Sequence, residues 1–396
     1  MIGTPKQARS AVTAIFLLNG LIFGAWAARI PAVRDRVGLS DGELGIVLAC
    51  AAVGSILAMP IAGGAAARIG SRRATRAAFA LVCLAIGLIA LAPSLPVLCA
   101  LAFFYGASMG SLDVSMNAHG VAVERRYGRS ILASFHAAFS IGGLAGGALG
   151  ALSAAVGLDV RAQLGLVAVA SAAIGLAWSR HFLGADEDAM GRAEPVFVRP
   201  PRRLLALGVL AFACLLIEGA SADWSAVYLR DELGTTAAVA AIGFTAFSVT
   251  MTVGRVFGDR LVDRFGPEAV VRAGGAIAAV GFGLALLASA PVPAIAGFAC
   301  LGAGMSGVVP IVFRASGHVP GMAAGVGLAA VSSTGYLGFL VGPPTIGGLA
   351  ELIGLPAALG VLVVLAVAVA LLARTTRYAR VGPEAPVGAK PQTVAA

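Results

Sequence analysis

The stretch LAFFYGASMGSLDVSMNAHG, Leu101–Gly120, is an apolar run long enough to cross a bilayer, yet it carries Asp113 and Asn117 near its end. Residues four apart lie on one face of a helix, one turn from each other, so these two polar side chains share a face. A carboxylate in hydrocarbon costs several kcal/mol or more, so this face is expected to line a polar interior or a water-filled path. Small residues between Gly106 and Ser111 allow a second helix to approach closely. The rest of the chain is therefore expected to be a membrane scaffold around this polar position and a few others.

The composition indicates a polytopic membrane protein. Of the 396 residues 59% are hydrophobic and only 12% are charged, and the mean hydropathy is +0.93; a soluble domain has roughly 25% charged residues. The net charge of +9 does not indicate nucleic-acid binding, because the basic residues fall in short clusters between apolar runs. No GxxxxGK[ST] or HExxH motif occurs in the sequence, which argues against ATP-driven transport and zinc-dependent hydrolysis, and no cofactor is expected.

Apolar runs of about 20 residues, the length that a bilayer demands, predict an all-α membrane protein with twelve transmembrane helices. The predicted spans are 11–31, 43–66, 75–93, 96–121, 130–155, 160–180, 204–229, 237–258, 268–289, 293–313, 323–350 and 354–374. The longest polar stretch, 181–203, is predicted to be a cytoplasmic linker between two six-helix bundles, 1–180 and 204–374. The tail 375–396 is predicted to be cytoplasmic and disordered.

Basic residues are distributed unevenly between the two sets of loops. With the N-terminus inside, the outer loops hold few of them: Arg29, Arg34, Arg36, Arg161 and Arg230. The inner segments hold clusters such as Arg68/Arg72/Arg73/Arg76 and Arg125/Arg126/Arg129, and a lone Arg314. This asymmetry predicts that both termini are cytoplasmic.

The two halves of the chain repeat. A shift of 196 residues superposes ARIG (67–70) on DRFG (263–266), Gly142 on Gly338, and Gly146 on Gly342. Two related sets of six helices, each with a basic turn after its second helix, are typical of a secondary transporter and argue against a channel or a membrane enzyme.

On these motifs the chain resembles the major facilitator superfamily, whose loop after the second helix is Gly-x-x-x-Asp-Arg-x-Gly-x-Arg-Arg. The first half has GGAAARIGSRR (63–73), with Ala67 where the family has Asp, and the second half has GRVFGDRLVDRFG (254–266). The positions that match are Gly63, Arg68, Gly70, Arg72, Arg73, Asp263, Arg264 and Gly266. The resemblance covers the whole chain and implies two pseudo-symmetric six-helix bundles. More loosely, the chain resembles the branch with fucose-permease-like and uncharacterised bacterial inner-membrane transporters.

The basic turns have two interpretations. They anchor the topology, or they form a cytoplasmic gate in which Asp263 or Asp259 pairs with an arginine at a neighbouring helix end. Exposed ion pairs are worth about 0–1 kcal/mol, which suits a contact that must open repeatedly. The candidate gate residues are Arg68, Arg72, Arg73, Asp259, Asp263 and Arg264. Because Ala67 replaces a carboxylate, the gate is expected to be asymmetric.

Asp113 and Asn117 serve either helix–helix hydrogen bonding or substrate and proton binding. His136 favours the second interpretation, since its depth in the fifth helix overlaps that of Asp113 in the fourth at 1.5 Å per residue. The sequence therefore predicts one polar cluster of Asp113, Asn117 and His136.

Glu218 lies well inside the seventh helix and corresponds to Asn19 in the first helix, so both are expected to face a central cavity. A buried carboxylate favours its neutral form, which makes Glu218 the candidate proton site. Nearer the outer end, Arg29 and Asp223 either belong to an interfacial belt with Trp26 and Trp224 or form an outer gate.

Other features concern the shape of the cavity. Aromatic residues near it either stack on a ligand ring or pack between helices: Trp26, Phe104, Tyr105, Phe139, Trp224 and Tyr336. Pro343 and Pro344 are expected to kink or break the eleventh helix.

The sequence predicts a proton-coupled secondary transporter of a small, sugar-like solute in the bacterial inner membrane, working as a monomer by alternating access. Its partners are the solute, protons and the lipid bilayer. Two alternatives stay open: a proton-driven exporter of lipophilic or drug-like compounds, and a membrane sensor or scaffold. Buried Asp113 and Glu218 argue against a scaffold, which has no need of intramembrane charge.

Overall fold

The computed structural model describes residues 4–39, 41–184, 202–235, 237–319, 322 and 324–379. Most of the predicted linker, 185–201, and most of the predicted tail, 380–396, lie outside these residues. The described residues form helices and turns and contain no strand.

The helices of the N-terminal half are α1 (Pro5–Ala27), α2 (Ile30–Val37), α3 (Asp41–Ile69), α4 (Ser71–Ile89), α5 (Leu95–Tyr127), α6 (Leu132–Ala155) and α7 (Val160–Trp178). Those of the C-terminal half are α8 (Arg202–Val227), α9 (Ala237–Phe265), α10 (Pro267–Ala288), α11 (Pro291–Met305), α12 (Val308–Ser316), α13 (Ala324–Ile353) and α14 (Leu355–Leu372). A π-helical turn, Tyr228–Glu232, extends α8, and 3-10 turns follow α7 and α14.

The predicted spans correspond to these helices with three differences. A short helix, α2, occupies a segment predicted as an outer loop. The predicted span 293–313 is divided into α11 and α12 at Ser306–Gly307, because Pro310 lacks the N–H that would bond the carbonyl of Ser306. Of the two outcomes expected at 343–344, a kink or a break, the break does not occur, since α13 continues through both positions.

Ten helical segments of the described residues are long and apolar enough to cross a membrane, with α11 and α12 together forming one of them. The other two long helices, α4 and α9, are not in this set. The fold is therefore that of a polytopic helical membrane protein, and the count of twelve spans stays a prediction.

Glycine allows the helices of each half to touch along their backbones. A Cβ on Gly142 or Gly146 of α6 would lie 2.0 or 2.1 Å from the carbonyl oxygen of Leu17 or Leu21 in α1. In the C-terminal half a Cβ on Gly338 of α13 would lie 2.4 Å from the carbonyl oxygen of Phe212 in α8. Without a hydrophobic force between helices in lipid, such close approach supplies the packing energy.

The two halves meet along two helix pairs at one end of the bundle. We call this the basic end, because exposed arginines such as Arg68, Arg126 and Arg264 lie there. Gly63 of α3 packs against Gly325 of α13, so that a Cβ on Gly63 would lie 2.5 Å from the Gly325 carbonyl oxygen. The start of α6 packs against the last turns of α9.

The glycine contact between α1 and α6 can be tested with two neighbouring positions. Gly146→Ala should destabilise the protein, because overpacking costs about 1–3 kcal/mol and here the new methyl meets backbone. Gly147→Ala is the control, since nothing lies within 4 Å of its added Cβ. Thermal unfolding of the purified variants should show a lower Tm for Gly146→Ala alone. Equal Tm values for the two variants would contradict the backbone contact.

Candidate functional site

Three polar side chains of the N-terminal half form a hydrogen-bonded chain. Asn117 lies one turn after Asp113 on α5, and its Nδ2 donates to Asp113 Oδ1 at 3.2 Å and to the Asp113 carbonyl at 2.8 Å. His136 of α6 places its Nε2 3.2 Å from Asn117 Oδ1. The structure thus brings the predicted cluster together, with Asn117 between the carboxylate and the imidazole.

The ring of His136 lies between the two halves. It contacts Phe16 of α1 with a centroid separation of 5.4 Å, and Phe313 of α12 at 5.9 Å. The imidazole is buried, with 8% of the residue exposed. The N-terminal cluster therefore ends at a contact with the C-terminal half.

Glu218 of α8 faces a cation that the sequence analysis did not include. Arg255 of α9 places NH2 3.6 Å from Glu218 Oε2, and its NH1 donates to Ser140 Oγ of α6 at 2.8 Å. Arg255 is buried, whereas the Glu218 side chain keeps 27% of its surface exposed. Because Glu218 and Ser140 belong to different halves, Arg255 joins the halves near the middle of the bundle.

Several buried polar atoms of helices α1, α5, α8 and α13 have no hydrogen-bond partner among the described residues. They are Asn19 Oδ1, Tyr105 OH, Trp224 Nε1 and Ser333 Oγ. Asp113 of α5 lies within side-chain hydrogen-bonding range of Ser332 of α13, in the opposite half. Asn19 itself uses its amide nitrogen on Met116 Sδ at 3.8 Å. Buried polar groups are almost always hydrogen-bonded to protein, water or ligand, so this set indicates a site that binds water or a polar ligand.

At the basic end a buried ion pair joins the halves. Arg314 of α12 donates from NH2 to Glu124 Oε2 of α5 at 2.6 Å and from Nε to Glu124 Oε1. The two side chains are 1% and 0% exposed. Glu124 also accepts the N–H groups of Ile131 and Leu132 at the start of α6, at 2.7 and 2.9 Å. A carboxylate at a helix N-terminus satisfies N–H groups that have no partner within the helix.

Asp259 of α9 makes the second connection at this end. Its two carboxylate oxygens accept the N–H groups of Ala133 and Ser134 in α6, at 2.9 and 2.7 Å, and Oδ1 lies 3.5 Å from Arg314 NH2. Arg314 thus lies between a carboxylate of each half. We call Glu124, Asp259, Arg314 and the first turn of α6 (131–134) the basic-end seam.

The other predicted gate residues lie around this seam rather than in it. Asp263 is exposed and accepts the Ser130 N–H at 3.3 Å. Arg264 lies over the ring of Phe265, and Arg72 donates to the Leu183 carbonyl at 3.4 Å. Arg68 and Arg73 are exposed. Of the predicted gate residues, Asp259 is therefore the one that forms part of the basic-end seam.

The predicted outer-gate residues do not meet in this conformation. Arg29 is buried and donates to the Leu158 carbonyl at 2.8 Å, within its own half. Asp223 is exposed, and no ion pair between it and Arg29 occurs in the described part of the chain. An outer gate of Arg29 and Asp223 stays a prediction for another conformation.

Sequence reasoning missed Glu124, Arg314, Arg255 and Ser140. Glu124 adjoins Arg125 and Arg126 just beyond the predicted end of the fourth span, 96–121, and Arg314 enters the sequence analysis only as an orientation signal. Arg255 precedes Asp263 by eight residues in the same helix. At 1.5 Å per residue, Arg255 therefore lies about 12 Å deeper in the membrane than Asp263. The depth argument that selected Asp113 would also have selected Arg255.

Two helical halves with buried charge at their interface and a polar cluster at mid-depth are typical of membrane transporters.

The comparisons place the chain within that class. Residues 206–396 match the model of the Major Facilitator Superfamily. An uncharacterized MFS-type transporter of Yersinia pestis is 36% identical over 346 residues, covering 87% of this chain and 89% of that protein. The chain belongs to the major facilitator superfamily.

Two solved structures share the fold. FucP, the E. coli fucose:proton symporter, matches in its outward conformation with a TM-score of 0.79 at 18% identity, covering 93% of this chain and 98% of that one. The proton:xylose symporter XylE matches with a TM-score of 0.70 at 15% identity, covering 93% of this chain and 95% of that one.

The buried pair of the basic-end seam predicts a conformational effect. Glu124→Gln leaves Arg314 without its cross-half countercharge, and removing one partner of a buried pair costs about 3–5 kcal/mol. We expect a larger fraction of molecules to open at the basic end. Spin labels at Ala77→Cys and Ala273→Cys, exposed positions of opposite halves, should report longer distances by pulsed electron paramagnetic resonance, in a variant without the five native cysteines.

Glu268→Gln is the matched control for that measurement. Glu268 also lies near the basic end and pairs with Arg272 at 2.7 Å and Arg374 at 3.9 Å, but both partners belong to its own half. Its distance distribution should equal that of the parent protein. If Glu124→Gln gives the same distribution as this control, the seam does not hold the end closed.

The polar chain in the N-terminal half predicts coupled mutations. Asp113→Asn and His136→Ala should lower the transport rate by less together than the product of their separate effects, because both residues bond to Asn117. His119→Ala is the control partner for Asp113→Asn, since His119 bonds to Ser71 and contacts the Phe182 ring. Rate losses that multiply independently for Asp113 and His136 would show two separate sites.

Proposed function

We propose that this protein is a proton-coupled secondary transporter that moves a small, sugar-like solute across the bacterial inner membrane by alternating access. The observation that carries the proposal is the meeting of two charged clusters at the interface of the halves. The Asp113–Asn117–His136 chain and the Glu218–Arg255 pair both end at residues that contact the opposite half. A solute or proton bound at this interface contacts both halves. Movement of one half relative to the other would then open the site to one side of the membrane or to the other.

The orientation follows from the distribution of arginine. The positive-inside rule supports a cytoplasmic position for the basic end and for both termini. The basic-end seam is closed, so this conformation corresponds to an outward-facing state. The likeness to FucP in its outward conformation supports the same assignment.

The architecture supports the expected twelve spans in two related bundles, 1–180 and 204–374, joined by 181–203. Adding α4 and α9 to the ten apolar segments gives twelve. Gly142 and Gly338, equivalent by the internal repeat, make the same kind of contact with α1 and α8. We propose that the monomer is the working unit, since its site is built from both halves of one chain.

The chemistry of the site favours a polar solute. Hydroxyl groups of a sugar both donate and accept, which matches the mixture of buried acceptors and donors left without partners, among them Asn19 Oδ1, Tyr105 OH and Trp224 Nε1. FucP and XylE are sugar:proton symporters by their titles. An exporter of lipophilic compounds is the alternative, supported by the aromatic contact between Trp26 and Tyr105, whose ring centroids are 5.9 Å apart.

A ligand screen followed by transport assays tests the proposal. A sugar-like solute should raise the Tm of the purified protein, since a ligand stabilises the fold that binds it. In proteoliposomes the same solute should accumulate only when a pH gradient is imposed. Stabilisation by lipophilic cations or drugs alone, with export driven by the gradient, would support the exporter instead.

Glu218 is the residue assigned to proton coupling. Glu218→Gln should abolish gradient-driven accumulation while solute counterflow survives, because the amide cannot take up or release the proton. Glu268→Gln, a change of the same kind at ion pairs confined to the C-terminal half, should leave both activities unchanged. Accumulation and counterflow are measured with the labelled solute in the same proteoliposomes. Accumulation retained by Glu218→Gln would remove Glu218 from the coupling step.

A further inference from the structure

Helix α9 carries contacts to both the central site and the basic-end seam. Arg255 bonds to Ser140, and Asp259, one turn later, accepts the N–H groups of Ala133 and Ser134. Gly258, which lies between these two residues on α9, also faces α6, since a Cβ on Gly258 would lie 2.9 Å from Ala133 Cβ. One face of α9 is therefore in contact with α6 over at least a full turn.

Arg255 has two carboxylates within reach of its helix position. Residues i and i+4 are neighbours on a helix surface, so Asp259 lies beside the stem of Arg255. In this conformation the guanidinium uses Glu218 at 3.6 Å, and the described residues show no ion pair between Arg255 and Asp259. The Glu218 contact is loose, and Arg255 Nε is buried without a partner.

We propose that Arg255 couples the charge of Glu218 to the basic-end seam. When a proton neutralises Glu218, the guanidinium moves from Glu218 to Asp259, and Asp259 then loosens its hold on the first turn of α6. Arginine keeps its charge in proteins, and a buried charge without a countercharge is unstable, so the guanidinium follows the nearest available carboxylate. The inference rests on the proposed transport function and adds the route by which protonation reaches the gate.

Charge balance supports the direction of the movement. Asp259 lies 3.5 Å from Arg314, which keeps Glu124 as its bidentate partner. A second guanidinium at Asp259 therefore competes with the α6 N–H groups and not with the Glu124–Arg314 pair. On the other side of Arg255, His136 lies within electrostatic range and gives it no countercharge.

The other groups around Glu218 do not replace Arg255. Tyr336 of α13 and Cys214 of α8 lie within electrostatic range of the carboxylate, and neither is a cation. The neighbouring α14 has no ionisable side chain, α11 has only Cys300, and α12 has only Arg314, which is engaged in the seam. Arg255 is thus the cation that responds to the charge of Glu218.

The label pair Ala77→Cys and Ala273→Cys tests this without any solute. Glu218→Gln mimics the protonated carboxylate and should move the distance distribution toward the longer, open separation. Adding Arg255→Gln should reverse that shift, because no guanidinium is left to compete for Asp259. Arg255→Lys, which retains a cation, should preserve the open shift in the Glu218→Gln background. Arg260→Gln, a change at an exposed arginine of the same helix, should also leave it unchanged.

Each outcome decides the proposal. A closed distribution in Glu218→Gln, or an open one in Glu218→Gln/Arg255→Gln, overturns it, since a purely structural arginine would destabilise the closed state when removed. If Arg255→Gln does not fold, Arg255→Met keeps the buried stem, removes the charge and gives the same comparison. Failure of solute accumulation in proteoliposomes with an intact distance response would reject the transport function and leave the coupling of Arg255 standing.

Discussion

The arrangement of the two halves depends on the pair between Glu124 and Arg314, which is buried from solvent and joins residues 190 positions apart in the chain. Charges are expensive to bury, and such a pair is stable only when its remaining hydrogen-bonding capacity is filled. Glu124 meets this condition through the N–H groups of Ile131 and Leu132. The N-terminus of α6 is therefore part of the ion pair, and it is held from the other half by Asp259 as well. Closure at this end is a property of four helices, α5, α6, α9 and α12, acting together.

The central site follows the same principle at mid-depth. Its charged groups are not isolated in lipid but are divided between the halves, with Arg255 bonded to Ser140 on one side and close to Glu218 on the other. The N-terminal cluster has one acidic side chain and two further hydrogen-bonding side chains, and the nearby Asn19 Oδ1 and Tyr105 OH have no partner among the described residues. Such a site can form further hydrogen bonds with a ligand or water, whereas a fully satisfied structural network cannot.

Much of the fold was accessible from the sequence because the bilayer imposes simple rules of length and charge. The spacing of Asp113 and Asn117 and the depth of His136 correctly placed three side chains together, since helix geometry fixes both quantities. The Glu124–Arg314 pair was not accessible, because contacts between distant helices leave no local periodicity. Arg314 stands alone at the end of an apolar run, which is also the pattern of a residue that only sets orientation. The division between α11 and α12 was missed because Pro310 was not considered within its apolar surroundings.

The glycine contacts within each half also bear on permeability. Where α1 and α6 touch along their backbones, at Gly20, Gly24, Gly142 and Gly146, the gap between them is narrower than a file of water molecules requires. Protons cross a membrane protein along hydrated paths, so no proton path runs between α1 and α6. No charged residue is needed between these two helices to repel ions. In the proposed transporter the hydrated path then lies at the surface between the two halves, where the Glu218–Arg255 and Glu124–Arg314 pairs are found. Under the proposed proton coupling, protons that leak across this surface would pass the same groups that couple them to transport.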